Sequence, residues 1–512
     1  MELVTLQGRV KPDNPLLRLS SRDNVAIARV NLEAGDLISW EGTEIRLLNS
    51  VPMGHKVAVA DIPQGFPVYK YGEDIGTARQ PIRRGEWVHT HNLQFDVKER
   101  DWAFCSNISD LSDIPLVEPH TFLGYPRPDG RVGTRNYIAV AGASNCAAHA
   151  VSQIEAAFRS YDFRGCPIDG VVSFPHGDGC GQSEGPDTEQ LRRTLDGVMD
   201  HPNVAAAIIV GLGCEVNQIS YYLHEGGNGN RRGLTLQESG GTRSVVQDGT
   251  KAVRELLDQA GRMERVEVPV SKIILGTNCG GSDGFSGVTA NPALGYCSDL
   301  LVKQGGISVL AETPEIYGAE HLLTRRARTR EIGEKLLRQI EWYKKYVGWF
   351  GASFDDNPSP GNKAGGLTNI AEKSLGAAIK SGTSPLSDVL EYAERIKTPG
   401  FNYMNTPGHD PVSLTGLAAG GVNVIIFTTG RGSAIGFPTV PVIKVATNSR
   451  TARNMRDNMD LNAGTIADGE EDIRQVGLRM YRFLVEVASG RKTFAEQLGH
   501  REFVPWRIGP VM

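Results

Sequence analysis

The sequence predicts an α/β protein in which a small, mostly β amino-terminal module precedes a large portion built on mostly parallel sheets. Three observations carry this. Short strand-like runs separated by turn signals fill residues 21–94, as in 24-NVAIARVNL-32, 56-KVAVADI-62 and 66-FPVYKYG-72, with PQG and RRG between them. From 135-RNYIAVAGA-143 onward such runs alternate with helical patterns, the signature of parallel strands joined by crossover helices. The 60 glycines are clustered, in GDGCGQ, GLGC, CGGSDG, PGNKAGG and TTGRGSAIG, and therefore mark defined turns.

Taken in order, the elements divide the chain into a β module over residues 1–95, a polar, Pro-containing linker over 96–123, an α/β domain over 124–268 and a second over 269–512. In the first α/β block, strand 135–143 leads to helix 147-AAHAVSQIEAAFRS-160, strand 170-GVVSF-174, helix 187-DTEQLRRTLDGVMD-200 and strand 204-VAAAIIVGLG-213. The second block opens with the buried-strand pattern 271-SKIILGT-277 and includes 422-VNVIIFTTGRGSAIG-436 and 440-VPVIKVAT-447. The charged segment 324-TRRARTREIGEKLLRQIEWYKKY-346 reads as a solvated helix with one apolar face.

Bulk properties narrow the function. A chain of 512 residues exceeds a single core and calls for several domains. A net charge of -5 gives no basic face for nucleic acid. No apolar run reaches the roughly 20 residues that cross a bilayer. The start, MELVTLQGRVKPDN, lacks the basic and apolar regions of a signal peptide, so a cytoplasmic protein with its seven cysteines reduced is expected.

The chemistry is expected at strand ends, because open α/β sheets bind ligands beyond the carboxyl edge. Four apolar strands run into Cys146, Cys180, Cys214 and Cys279, and these thiols are expected to converge on one pocket, with Cys105, Cys166 and Cys297 outside it. Soft thiolates suit iron, zinc or an iron–sulfur cluster, whereas a harder ion would prefer Asp178, Glu215 and Asp283. In 87-WVHTHN-92, His89 and His91 at alternate positions of a strand would share a face and could reach one ion, with His55 joining if the loops meet. The loops 357-NPSPGNKAGG-366 and 427-FTTGRGSAIG-436 offer Lys363 and Arg431 to an anion. Neither is a nucleotide motif.

GHKVAVADI, YGEDIG and HTHN, followed by GRVGTRN, HGDGCGQ, GLGCE, CGGSDGFSGVTANPALG, NPSPGNKAGG and TTGRG, resemble the altronate/galactarate dehydratase family over nearly the whole chain. The resemblance implies that the β module is a SAF (β-clip-like) domain attached to an α/β catalytic portion. It implies a sugar-acid dehydratase that uses a divalent metal, with Fe2+ first and Mn2+ or Mg2+ as alternatives. D-altronate is the expected substrate, with galactarate the alternative, and a related group holds sulfolactate sulfo-lyases. On this reading Arg135, Ser282, Asp283, Asn362 and Arg431 bind substrate. His176 or Lys363 is the base and a module histidine such as His55 the acid, while His89, His91, Cys146, Cys180, Cys214 and Cys279 hold metal. A homodimer acting on a small molecule, without nucleic acid or membrane, completes the expectation. An iron–sulfur redox or binding protein is the alternative of a different class.

Overall fold

The computed structural model describes residues 14–95, 102–223 and 231–509. The start of the chain and residues 96–101 of the expected linker therefore lie outside the described residues. The architecture is α/β, with a β module at its amino-terminal end. In the module, short antiparallel strands form a four-stranded sheet, Leu16–Leu17, Val25–Ala28, Lys56–Ala58 and Trp87–Val88, a hairpin Leu37–Trp40/Thr43–Arg46, and a three-stranded sheet from Pro67–Lys70, Glu73–Ala78 and Leu93–Gln94.

The next block is a parallel four-stranded sheet in the spatial order Gly170–Phe174, Tyr137–Gly142, Val204–Gly211, Arg231–Thr235. Every residue of Val204–Gly211 is buried, which is why the run reads as continuously apolar and not alternating. The largest sheet has seven parallel strands in the order Leu386–Leu390, Gly400–Met404, Ile307–Leu310, Ile274–Cys279, Val424–Thr429, Val442–Ala446 and Leu461–Asn462. The chain starts this sheet at Ile274–Cys279, builds to one side, then crosses to Val424–Thr429 on the other. Those two neighbours define the topological switch point, where strand ends part and leave a crevice.

The described part of the expected linker is anchored. Cys105 N donates to Thr324 O at 3.2 Å, Asn107 N to Arg325 O at 2.9 Å, and Lys303 Nζ to Leu111 O at 2.9 Å. Thr121–Pro126 then pairs antiparallel with Val266–Pro269.

The module docks on its own chain through a buried charge cluster. Lys56 Nζ lies 2.8 Å and Lys70 Nζ 2.8 Å from carboxylate oxygens of Glu372, at the start of helix Ile370–Ala378. Thr368 N and Oγ1 donate to the same carboxylate at 3.0 and 2.6 Å. All three charged side chains are buried. Main chain meets main chain beside them: a Cβ on Gly284 would fall 1.8 Å, and one on Gly366 2.4 Å, from Gly54 O of the module. These positions require glycine because no other residue permits that approach. Replacing Glu372 by Gln leaves two buried ammonium groups uncompensated. It is expected to cost about 3–5 kcal/mol, measured by equilibrium denaturation, and to make the module the first part released by limited proteolysis.

Candidate functional site

The switch point carries a cavity of about 290 Å³ lined by Asp283, Gly430, Arg431, Asn448 and Arg450 from the large sheet's loops, Ala364 and Gly365, and Asn31, Pro52 and Met53 of the module. Its wall is the loop after Cys279. Gly281 has φ +58°, and its carbonyl accepts from Arg431 N at 2.9 Å and Gly430 N at 3.2 Å, tying together the loops that follow the two central strands. A Cβ on Gly280 would lie 2.3 Å from an Asp410 carboxylate oxygen, and one on Gly281 would lie 3.5 Å from Arg431 Cβ. Gly280 therefore lets the backbone pass close to Asp410, and the left-handed φ of Gly281 turns it toward Arg431.

Beneath this loop lies a buried cluster of acids, lysines and a thiol. Lys380 Nζ is 2.7 Å from Cys279 Sγ and 3.1 Å from Glu312 Oε2. Lys373 pairs with Glu315 and donates to Asn357 Oδ1 at 2.8 Å. Cys279 Sγ is 3.5 Å from Glu315 Oε2. Glu312 holds a left-handed φ of +73°, a strain that persists only where surrounding contacts enforce it. Burial raises the Glu312 carboxyl and neighbouring Glu315 raises it further, whereas Lys373 and Lys380 hold Glu315 low against its own burial. Burial, then Glu315, pushes Asp410 up to about 7. Burial likewise raises the Cys279 thiol despite Lys380 beside it.

Cys279, Glu312 and Glu315 present one sulfur and two oxygens within 4.8 Å of one another. Glu312 Oε1 is buried without a partner. A thiolate with two carboxylates suits a divalent ion of borderline softness, so this donor set fits a metal.

The expected site residues separate into groups. Cys146, Cys180 and Cys214 stand exposed at the ends of the four-stranded sheet, whereas Cys279 is buried at the end of the seven-stranded one. The four thiols are thus divided between two sheets, and among the described residues they do not lie together within 4.8 Å. His89 and His91 do not alternate on a strand either. Trp87–Val88 ends the strand, and His89 begins a turn whose carbonyl accepts from Asn92 N at 3.1 Å. The two imidazoles meet the Trp87 ring at interplanar angles of 10° and 52°, and His55 joins them, its ring centroid 5.0 Å from that of His89. Burial, then Lys56, pushes His89 down to about 3.

His176 and His55, expected as proton carriers, have both ring nitrogens engaged by neighbours. His176 Nε2 donates to Gly142 O at 2.7 Å and Nδ1 accepts from Asp178 N at 3.1 Å. His55 Nδ1 accepts from Trp87 Nε1 at 3.2 Å, leaving Nε2 to donate toward Ala364 O at 3.3 Å, which latches the module to the cavity wall. Arg135 is not at the cavity: it is buried, forks onto Glu496 at 2.6 and 2.8 Å, and donates to the carbonyls of Thr134, Val487 and Arg491. Asn362 braces the loop by donating to Ser282 O at 2.9 Å. Asp283 lines the cavity, yet its carboxylate is held by Ser286, Thr447 and Asn448 at 3.0–3.1 Å. Ser282 Oγ is buried without a partner beside the same loop, and Lys363 is half-buried in helix Pro360–Ala364. Sequence reasoning missed Glu312, Glu315, Lys373, Lys380, Asp410 and Arg450. The available signal was three charges in the small and apolar stretch 370-IAEKSLGAAIKSG-382.

Arginines at a cavity mouth over a buried acid–lysine cluster are the equipment of an enzyme that moves protons beside a carboxylate. Three family models match the chain: the altronate/galactarate dehydratase SAF domain over residues 14–96, the D-galactarate dehydratase/altronate hydrolase second domain over 124–261, and the D-galactarate/altronate dehydratase C-terminal domain over 270–511. The chain is 34% identical to altronate dehydratase of Bacillus subtilis (strain 168) over 494 residues, 96% of this chain and 99% of that protein. It is 38% identical to the L-threo-forming galactarate dehydratase of Escherichia coli (strain K12) over 516 residues, 97% of each. It is 35% identical to the (2R)-sulfolactate sulfo-lyase subunit beta of Chromohalobacter salexigens over 404 residues, 77% of this chain and 98% of that one. The chain belongs to the altronate/galactarate dehydratase family, and is thus a carbon–oxygen lyase of the hydro-lyase type.

The burial pattern has a direct chemical readout. In reduced, metal-free native protein, Cys146, Cys180 and Cys214 are expected to react with a thiol reagent within minutes, and Cys279 and Cys297 only after denaturation. Peptide mapping of the labelled sites checks this.

Proposed function

We propose that this enzyme converts D-altronate to 2-keto-3-deoxy-D-gluconate by β-elimination of water in the cavity at the switch point. The carrying observation is that one loop, Cys279–Asp283, borders both Arg431 of the cavity wall and Asp410, a half-buried carboxyl poised near neutrality. The C2 proton of an aldonate is weakly acidic, because its removal loads charge onto the adjoining carboxylate. Arg431 and Arg450 bind that carboxylate from the cavity wall. Asp410 takes the C2 proton, and Lys373 and Lys380 oppose the charge that develops. Hydroxide leaves C3 as water by taking the proton that Asp410 carries, which restores the base, and the enol tautomerises to the 2-keto acid. In this reading Ser282 Oγ, buried beside the loop without a partner, accepts from or donates to a substrate hydroxyl.

Cys279, Glu312 and Glu315 would hold the divalent ion, Fe2+ in the first instance with Mn2+ or Mg2+ as alternatives. When bound, it supplies further positive charge for the dianionic intermediate. A second reading, galactarate, is favoured by the presence of two guanidinium groups in the cavity, enough for a substrate with a carboxylate at each end.

With Fe2+ or Mn2+ under reducing conditions, the purified protein is expected to form 2-keto acid from D-altronate faster than from galactarate. The reverse order selects the second reading, and no keto acid from a panel of aldonates and aldarates overturns both.

The raised Asp410 carboxyl stays protonated to higher pH than an ordinary one, so its basic form fills only above about 7. The rate is expected to climb with pH through that value and then level off. Asp410→Asn is expected to lower kcat by about 10²–10⁴ and to abolish that limb of the pH profile. A variant retaining the limb would exclude Asp410 as the base.

A further inference from the structure

The thiols of Cys146, Cys180 and Cys214 take no part in the reaction described above, yet the fold gathers them. They follow three adjacent parallel strands in close register, Ala141 facing Phe174 on one side and Gly142 facing Val210 on the other. The three loops beyond are laced together: Asn145 N donates to Asp178 O at 2.8 Å, Asn217 N to Gly179 O at 3.1 Å, and Asn217 Nδ2 to Ala143 O at 2.8 Å. Cys214 Sγ accepts from Gln237 Nε2 at 3.3 Å. All three remain exposed to solvent.

Glycines with positive φ shape the backbone around them. Gly179 and Gly181 flank Cys180 with φ of +89° and +63°, and Gly213 precedes Cys214 with φ of +124°. A Cβ on Gly179 would fall 2.2 Å from Ala143 O, so close loop packing also demands glycine there.

Spacing discriminates between a single ion and a cluster. Thiolates on one tetrahedral ion, each at about 2.3 Å from it, stand roughly 3.8 Å apart. The three sulfurs are not all within 4.8 Å of one another, a closeness that among the described residues occurs at Cys279, Glu312 and Glu315. Thiolates bound to different irons of one cluster stand farther apart than ligands of one ion. The neighbouring carboxylates are committed elsewhere: Glu215 accepts from Leu212 N at 2.8 Å and from Gly213 N at 2.5 Å, and Asp178 pairs with Arg507 at 2.7 Å.

We propose that Cys146, Cys180 and Cys214 hold a [4Fe–4S] cluster with one iron lacking a protein thiolate, its coordination position open to a small oxygen ligand. Insertion of a preformed cluster displaces three thiol protons to solvent and transfers no electrons. This site is separate from the divalent-metal donors at Cys279 and does not rest on the reaction proposed there.

The test is anaerobic reconstitution of the full chain with ferric iron, sulfide and dithiothreitol, the dithiol supplying the electrons that bring half the irons to the ferrous state, followed by desalting and assay of iron, acid-labile sulfide and visible absorption. About four sulfides per chain with sulfide-to-iron charge-transfer absorption are expected. Cys146→Ser, Cys180→Ser and Cys214→Ser should each lose most of the sulfide, whereas Cys166→Ser and Cys279→Ser should keep it. Circular dichroism of each variant distinguishes cluster loss from misfolding, and a second set of Ala substitutions replaces any Ser variant that does not fold. Iron without sulfide, a single zinc, a Cys146–Cys180 disulfide alone, or sulfide retained in the triple variant would each overturn the assignment.

Discussion

One buried carboxylate sets the geometry on which the rest depends. Glu372 accepts from Lys56, Lys70 and Thr368 at once, all within the protein interior. Taking such charges out of water costs several kcal/mol per ion, and the arrangement holds because the carboxylate's oxygens meet several donors. Its position in the first turn of helix Ile370–Ala378 adds the favourable end of the helix dipole. Asn369, the N-cap, accepts from Glu372 N at 3.0 Å and spends its amide on Ile75 O of the module at 2.8 Å. Ion pairs and cap thus fix the module in one orientation, and that orientation makes Pro52 and Met53 part of the cavity wall.

The glycine clusters serve the same end by subtraction. At Gly54, Gly284 and Gly366 two backbones touch, and at Gly280 and Gly430 the backbone runs against the carboxylates of Asp410 and Asp283. Side chains there would push apart the surfaces that enclose the cavity. The cavity is therefore held by main chain on one side and guanidinium groups on the other, with the acid–lysine cluster screened from solvent below.

The sequence made the sheets legible and the site only in part. Strands such as 170-GVVSF-174 could be read to the residue because buried parallel strands are apolar throughout and bounded by glycine or proline. The loop after Cys279 and Arg431 were legible because both follow such strands. His89 was misread as part of a strand because an alternating HTH pattern is equally compatible with a turn, and here the Asn92 side chain closes one by accepting from His89 N at 2.9 Å. The four thiols looked alike because a strand end says nothing about which sheet the strand enters. Arg135 looked like an anion binder because its partner Glu496 lies 361 residues away. Glu312, Lys373 and Lys380 were hidden for the same reason: charges on short helical stretches read as solvated until a distant element covers them.

Helix Ile370–Ala378 carries two loads on neighbouring residues. Glu372 points to the module, while Lys373 beside it, and Lys380 one short 3₁₀ turn beyond, point to Glu315 and Glu312. Each residue added to a helix rotates everything after it by about 100°. A one-residue insertion or deletion between these positions would swing the lysines away from their acids while Glu372 stayed in place. The length of this segment is thus a constraint independent of its composition: exchanges that spare Glu372, Lys373 and Lys380 can be absorbed, but changes in residue count cannot, and related chains should keep this length.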